Sequence, residues 1–331
     1  MGTRRGIFAG LVASVGLAVL ATPLATQPSQ AETVLRGAMF IDSDRSLFRQ
    51  LFNEFVERVN TEGAGMIRID PVLGPGAIPT SEMPNALREG IIDIAGLPPA
   101  FYRGQVFEAS GLQVAEVPPD VQRARGAIDM LQEKYHDAGW HLLAQYGYGL
   151  QFHFFMNTPV EGVGDFADLT LRTTPTYRAF FNDLGSRQVE TSRGEVYTAM
   201  ERGVVDGFAN VMSESAAAGW DEVARYLVEP GFYHTIVTIM MNRDSWERLD
   251  SDQQALLDRI AMEVENELAA DLADRDRAAG AEMVDRGLEV IALPEAEASR
   301  LVEMANDAYW SMLEADAPET IGILRPLLSA D

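Results

Sequence analysis

Cysteine is absent from the 331 residues. That excludes disulfides, thiolate metal sites and a thiol nucleophile. It says little about compartment, because a chain of this length buries enough core to fold without staples. Lysine is nearly absent too: Lys134 is the single one, and every other basic side chain is an arginine. Basic charge is scarce altogether, with 26 Lys and Arg against 50 Asp and Glu and a formal net charge of -24. Such a surface repels phosphate backbones and anionic lipid, so nucleic acid and membrane surfaces are poor partners. An anionic ligand therefore needs a local cation working against the general field.

Catalytic signatures are missing as well. His136, His141, His153 and His234 form no H-E-x-x-H pair and no spacing of a metal triad. There is no G-x-S-x-G elbow and no phosphate-binding P-loop. Gly147-Tyr148-Gly149 begins a G-x-G, but Phe152 stands at the third glycine position. Fifty carboxylates make accidental acid pairs inevitable, so no glycosidase reading is drawn from them. No repeat and no low-complexity tract interrupts the chain.

What is present begins with a leader. Arg4 and Arg5 precede an apolar run from Ile7 to Leu20, then Pro23, Pro28 and Ser29-Gln30-Ala31. The run is short for a bilayer span, and the small residues Ser29 and Ala31 fit a signal-peptidase site before Glu32. Residues 1–31 are read as a signal peptide, and the mature chain as exported with no stable membrane insertion. The basic start resembles a twin-Arg signal only loosely.

The mature chain, 47% apolar residues overall, reads as alternating strands and helices. Thr33–Ile41, Met66–Leu73 and Ile91–Leu97 are strands. Between them come a helix carrying Phe48, Leu51, Phe52, Phe55, Val56 and Val59 at helical spacing, capped by Asp44 or Ser43, and a short helix over Ser81–Glu89. Asp120–Ala138 is a helix, followed by strands Trp140–Tyr148 and Phe152–Asn157. A second β-α-β-α-β run follows: Leu169–Thr173, Tyr177–Leu184, Val189–Ser192, Glu195–Arg202 and Val204–Asn210. Tyr233–Asn242 returns to the first half. Asp250 with Gln253 forms a capping box for a helix reaching about Asp285, on the order of 50 Å long and long enough to run across two domains. The pattern predicts mostly parallel α/β pairing in two domains: 32–148 plus about 237–275, and 149–236 plus about 276–331. Crossings fall near Gly149 and Tyr233, and the cleft between the domains is the expected ligand site.

Three segments then stand out: Leu169-Thr170-Leu171-Arg172-Thr173, Glu195-Val196-Tyr197-Thr198-Ala199-Met200, and Gly203-Val204-Val205-Asp206-Gly207-Phe208-Ala209-Asn210. In that order and spacing they resemble the TRAP-transporter solute-binding proteins. Gly90–Ala95, Tyr226-Leu227, Trp246-Glu247-Arg248-Leu249 and the long helix extend the resemblance over nearly the whole mature chain. It implies a two-domain periplasmic-binding-protein-like α/β fold with a long helix spanning both domains. It also implies a periplasmic receptor, not an enzyme, whose partners are a small carboxylate and the TRAP membrane permease, with no cofactor.

The resemblance also assigns residues. Arg172 matches the family's carboxylate clamp, and its planar fork suits bidentate binding in a way lysine does not. Asn210 offers an amide that both donates and accepts. Gln151 stands where many relatives carry a second arginine. Glutamine there resembles the 2-oxo- and 2-hydroxy-acid binders and favours a monocarboxylate. That branch often has an acidic residue and a tryptophan near Asn210-Val211 that help hold a cation. This chain has neither there, so no metal is expected. Phe101-Tyr102 supplies an aromatic wall and a phenol donor, and Arg193 falls at a cleft position that is often apolar. Asp206 and Glu195 are read as structural, since a bare carboxylate repels an organic anion. Two rivals stay open: a periplasmic α/β hydrolase or lyase, and a sensor that binds the same ligand. The exported protein is expected to begin at Glu32, which N-terminal sequencing checks; retention of residues 1–31 would refute the cleavage site.

Overall fold

A computed structural model describes residues 1–2 and 31–330 of the chain. The leader with Arg4 and Arg5 lies outside the described residues.

The first lobe opens with β1 (Thr33–Met39), α1 (Leu47–Glu62), β2 (Ile67–Leu73), α2 (Met83–Arg88) and β3 (Ile94–Leu97). Helix α1 buries Leu47, Phe48, Leu51, Phe52, Phe55, Val56 and Val59, the stripe its periodicity requires. Its cap is Ser46, whose hydroxyl accepts the Arg49 N–H at 3.4 Å, in place of the expected Asp44 or Ser43. The helix expected over Asp120–Ala138 is two helices, α3 (Pro119–Ala124) and α4 (Ala127–Asp137), because Gly126 takes a left-handed φ of 83° between them. Strand β4 (Trp140–Tyr146) completes the outward path.

The second lobe holds β5 (Gln151–Met156), β6 (Thr170–Thr173), α5 (Arg178–Asp183), β7 (Arg187–Glu190), α6 (Val196–Glu201), β8 (Gly207–Asn210), α7 (Met212–Ala218) and β9 (Tyr226–His234). The chain returns as β10 (Val237–Asn242), then runs through α8 (Arg243–Glu247), α9 (Ser251–Asp285), β11 (Glu289–Ala292), α10 (Glu295–Asp316) and α11 (Pro318–Leu328). The strands form two sheets, ordered β2-β1-β3-β10-β4 and β11-β9-β5-β8-β6-β7.

The βαβ units pair in parallel, β1 with β2 and β3, and β6 with β7 and β8. The crossing strands do not. β10 is antiparallel to β3 and β4, and β5 is antiparallel to β8 and β9. The reason is geometric: β4 runs into β5 while β9 returns into β10 beside it. Both sheets are therefore mixed, where the sequence pattern predicts mostly parallel pairing. Gln151 sits opposite His234 on one side of the crossing, and Tyr146 opposite Val237 on the other. A Cβ on Gly147 (φ 104°) would lie 2.0 Å from the Thr235 carbonyl oxygen, so only glycine lets the two crossing segments approach this closely.

One apolar core runs through both lobes, from Leu35, Phe52 and Trp140 to Phe154, Phe180 and Phe232. A second cluster, including Phe155, Phe208, Trp220 and Met283, covers the other face of the second sheet. The alternation along β5 separates them: Phe154 packs on Phe166, Phe181 and Phe232, and Phe155 stacks on Phe208. Helix α9 begins at a reciprocal capping box between Asp250 and Gln253. It packs on α1 and β4 of the first lobe and on α7 of the second. The C-terminal region is less simply divided than its expected place in the second domain. Helix α10 packs on β9 and α5 of the second lobe and also on the 107–114 segment of the first, and α11 packs on that same segment and on α4. Glu116 N–H donates to the Leu328 carbonyl there at 2.8 Å.

Glu265 fastens α9 to the first lobe. Its buried carboxylate accepts from Arg123 Nε at 2.6 Å, Arg123 Nη2 at 2.8 Å and the Gln145 N–H at 2.8 Å. Removing one member of such a buried pair strands the other. Glu265→Ala should cost about 3–5 kcal/mol of stability, measured by urea denaturation; a loss under about 1 kcal/mol, the scale of an exposed pair, would refute this role.

Candidate ligand-binding cleft

A cavity of about 430 Å³ lies between the lobes. The first lobe contributes Phe40, Phe48 and Phe101, the second contributes Phe152, Tyr177 and Trp220, and the crossing contributes Thr235 and Ile236. Phe40 stands 6.0 Å from Phe48 and 6.4 Å from Phe101, ring centre to ring centre, so one wall is aromatic. The charged residues lining the cavity are Arg172, Glu190, Arg193 and Glu195.

Strand pairing puts Arg172 and Asn210 together. Arg172 on β6 is opposite Phe208 on β8, and Asn210 lies two residues further on, so both project from one face. Arg172 is only 7% exposed. Its Nη1 donates to the Tyr177 hydroxyl at 3.0 Å, and its Nη2 donates to the Thr191 carbonyl at 3.0 Å. Tyr177 in turn donates to the Ala209 carbonyl at 3.0 Å, which fixes the direction of its own acceptor lone pair. Arg172 Nε has no partner, and neither has the Asn210 amide nitrogen. Two buried donors are thus left unsatisfied at the cavity wall, a costly state unless an acceptor arrives.

Arg193 enters the same corner. Its guanidinium lies 4.9 Å above the Trp220 ring and donates through Nη2 to Glu214 Oε2 at 2.9 Å. Burial lowers its pKa from the usual value; Glu214 opposes that shift and nearby Arg172 adds to it. Glu195 and Asp206 bind protein groups. Glu195 accepts from the Ser192 N–H at 2.9 Å and hydroxyl at 2.6 Å, which lowers its pKa, and Asp206 accepts the Thr170 N–H at 2.7 Å. Glu190 pairs with Arg178.

Two expected site residues lie elsewhere. Tyr102 is fully buried in the first lobe, its hydroxyl bonded to Tyr135 at 2.5 Å and Thr238 at 2.7 Å. A short 3-10 turn over Pro99–Phe101 separates the neighbours, turning Phe101 to the cavity and Tyr102 into the core. Gln151 does not line the cavity. As the first residue of β5 it belongs to the crossing ladder, and its Cβ packs with the His153 ring over Gly231. His153 is buried, and burial lowers its pKa to about 4, so its ring is neutral. Glu214, Trp220, Phe40 and Phe48 carry no sequence motif of their own. An acidic residue and a tryptophan do reach the corner beyond Asn210, but α7 and the turn after it deliver them from four and ten residues downstream.

Among the described residues, no three His, Asp or Glu side chains converge as a metal ion requires, and no helix is long and apolar enough to cross a membrane. Two sheets joined by paired crossings, with a cavity between them lined by residues that carry unsatisfied buried donors, define a cleft-type binding protein. The chain belongs to the bacterial extracellular solute-binding protein family 7, whose model matches residues 39–316. It is a receptor and not an enzyme.

A solute-binding protein of Verminephrobacter eiseniae is 28% identical over 181 residues, covering 52% of this chain and 53% of that relative, about half of its length. The ectoine/5-hydroxyectoine-binding periplasmic protein of Ruegeria pomeroyi is 24% identical over 263 residues, 76% of this chain and 75% of the relative. Among solved structures, an apo, open TRAP periplasmic solute-binding protein from Marinobacter aquaeolei superposes with a TM-score of 0.77 at 21% identity, covering 90% of this chain and all of that one (100%). A TRAP periplasmic solute-binding protein from Ralstonia eutropha, solved with bound (S)-2-acetolactate, gives 0.75 at 19% identity, covering 89% and 98%.

Tyr102 is a core hydroxyl and not a ligand donor. Tyr102→Phe should lower stability by about 1–2 kcal/mol in urea denaturation and leave the affinity for any cleft ligand within about twofold. A loss of affinity beyond about tenfold, or 1.4 kcal/mol, would put the hydroxyl in the site.

Proposed function

We propose that the protein is the extracytoplasmic receptor of a TRAP transporter. It is exported by its N-terminal signal, closes its two lobes around a small organic acid and delivers that acid to the membrane permease. A monocarboxylate is favoured, a 2-oxo or 2-hydroxy acid above all. The observation that carries this reading is the pair of unsatisfied buried donors, Arg172 Nε and the Asn210 amide nitrogen, at one wall of the cavity. A carboxylate supplies two acceptor oxygens at once, and a guanidinium edge binds them in a planar, charge-assisted pair. The neighbouring Asn210 amide suits a 2-oxo or 2-hydroxyl oxygen on the same acid.

Several features support the remainder of the reading. The aromatic wall suits an apolar body behind the acid head. About 430 Å³ falls within the range of small-molecule sites. The Ralstonia eutropha relative holds a 2-hydroxy monocarboxylate in the same fold. Membership in an extracellular solute-binding family accords with export and with a permease partner.

A thermal-shift screen over small carboxylates identifies the ligand, since binding only to the folded state raises apparent stability. With that ligand, Arg172→Ala should weaken binding by about 30-fold or more, the effect of roughly 2–5 kcal/mol for one member of a buried charge pair. Arg172→Lys should also bind poorly, because a point charge cannot replace the fork. Calorimetry decides: an Arg172→Ala protein that binds within about twofold of wild type, far below the tenfold of 1.4 kcal/mol, would refute the clamp.

A further inference from the structure

The cleft contains two arginines, but they are not equivalent. Arg172 bonds only neutral partners, a tyrosine hydroxyl and a backbone carbonyl. Arg193 bonds Glu214, through the carboxylate at 2.9 Å and the backbone carbonyl at 3.2 Å. The Glu214 carboxylate is fully buried. Its second oxygen bonds the first lobe behind the cavity lining, to which Glu214 does not itself belong, accepting the Ser46 hydroxyl at 2.8 Å and the Phe48 N–H at 3.4 Å. Ser46 is the cap of α1, a 16-residue helix of the first lobe. One carboxylate therefore meets a cation of its own lobe and the positive end of a helix from the other. The remaining charged residues of the lining, Glu190 and Glu195, have partners of their own in Arg178 and Ser192. Among the described lining residues, that leaves Arg172 as the one cation without a counter-ion.

From this we infer that Glu214 is a specificity-determining residue: it occupies, from the protein's side, the place a ligand's second carboxylate would take, and so restricts the cleft to singly charged acids. The inference rests on the organic-acid reading above and names the residue that sets the ligand's charge. A dicarboxylate entering this cleft would find its second charge facing an arginine already neutralised, with a buried carboxylate behind it. Repulsion of that kind discriminates between ligands as effectively as attraction does. Gln151, from which the sequence favours a monocarboxylate, lies outside the cavity, and the Arg193–Glu214 pair carries the charge selectivity in its place.

The test compares matched acids in which a terminal methyl is replaced by a carboxylate: pentanoate with glutarate, 2-oxopentanoate with 2-oxoglutarate, and 2-hydroxybutanoate with malate. In calorimetry, wild type should bind the monocarboxylate of each responsive pair about tenfold or more tightly than its partner. Glu214→Gln, which keeps the shape and frees Arg193, should move that ratio about tenfold or more towards the dicarboxylate. The double variant Arg193→Met with Glu214→Met removes both charges and should restore the wild-type preference. Circular dichroism and the urea midpoint establish that each variant is folded.

Equal or tighter dicarboxylate binding by wild type, with Arg172→Ala still abolishing it, would overturn this inference and leave the receptor reading intact. An unchanged ratio in folded Glu214→Gln would overturn it too. So would loss of both acids in that variant with no recovery in the double variant, which would make Glu214 merely structural. Failure of wild type to bind any carboxylate would overturn the receptor reading and this inference together.

Discussion

An arginine that is 7% exposed, inside a protein with a formal net charge of -24, is the constraint around which the cleft is arranged. Burying such a group is costly unless its donors find acceptors. Arg172 is given two neutral ones by the protein and is left short of a third. A protein carboxylate in the third place would neutralise it, as Glu214 does for Arg193. Tyr177 shows how the direction is held: its hydroxyl accepts from Arg172 while donating to Ala209, so the tyrosine cannot turn away without losing a buried bond.

The second arginine shows the opposite solution. Arg193 lies close enough to Arg172 for their charges to repel, and Glu214 resolves the conflict by neutralising one of them. The same carboxylate spans the two lobes through Ser46 and Phe48. Charge balance within one wall of the cleft and contact between its two walls therefore depend on a single buried side chain.

The crossing between the lobes is turned by backbone more than by side chains. Gly147 at φ 104° and Gly149 at φ 89° turn the outward crossing, and Tyr233 at φ 33° turns the return. A non-glycine residue in the left-handed region persists only where its surroundings hold it. Here the Tyr233 hydroxyl donates to the Ala305 carbonyl at 2.6 Å, and its ring packs on Phe232 and Tyr309. Beside it, burial keeps His234 neutral, with its pKa lowered to about 4, so Nδ1 can accept the Gly149 N–H at 3.1 Å. The crossings are thus tied to each other, and α9 and α10 tie them to both lobes.

Much of this was written locally in the chain. The apolar stripe of α1, the Asp250–Gln253 box of α9, the βαβ runs and the glycines near 147–149 each depend on residues a few positions apart. Arg172 was legible as a cleft residue because its strand lies in a recognisable order with β8 and α6. What the sequence could not decide depends on contacts between distant residues. One residue of turn separates Phe101, in the cleft, from Tyr102, in the core, and only the packing of Tyr135 and Thr238 chooses between them. The pairing of β5 with β9 takes Gln151 into the crossing ladder. Glu214 meets Ser46 across 168 positions of sequence. Local periodicity and capping fixed the elements, because their energetics are settled within a few turns or strands of chain. The charge balance of the cleft was decided by folding, because a buried charge is defined by whichever neighbours the tertiary structure brings to it.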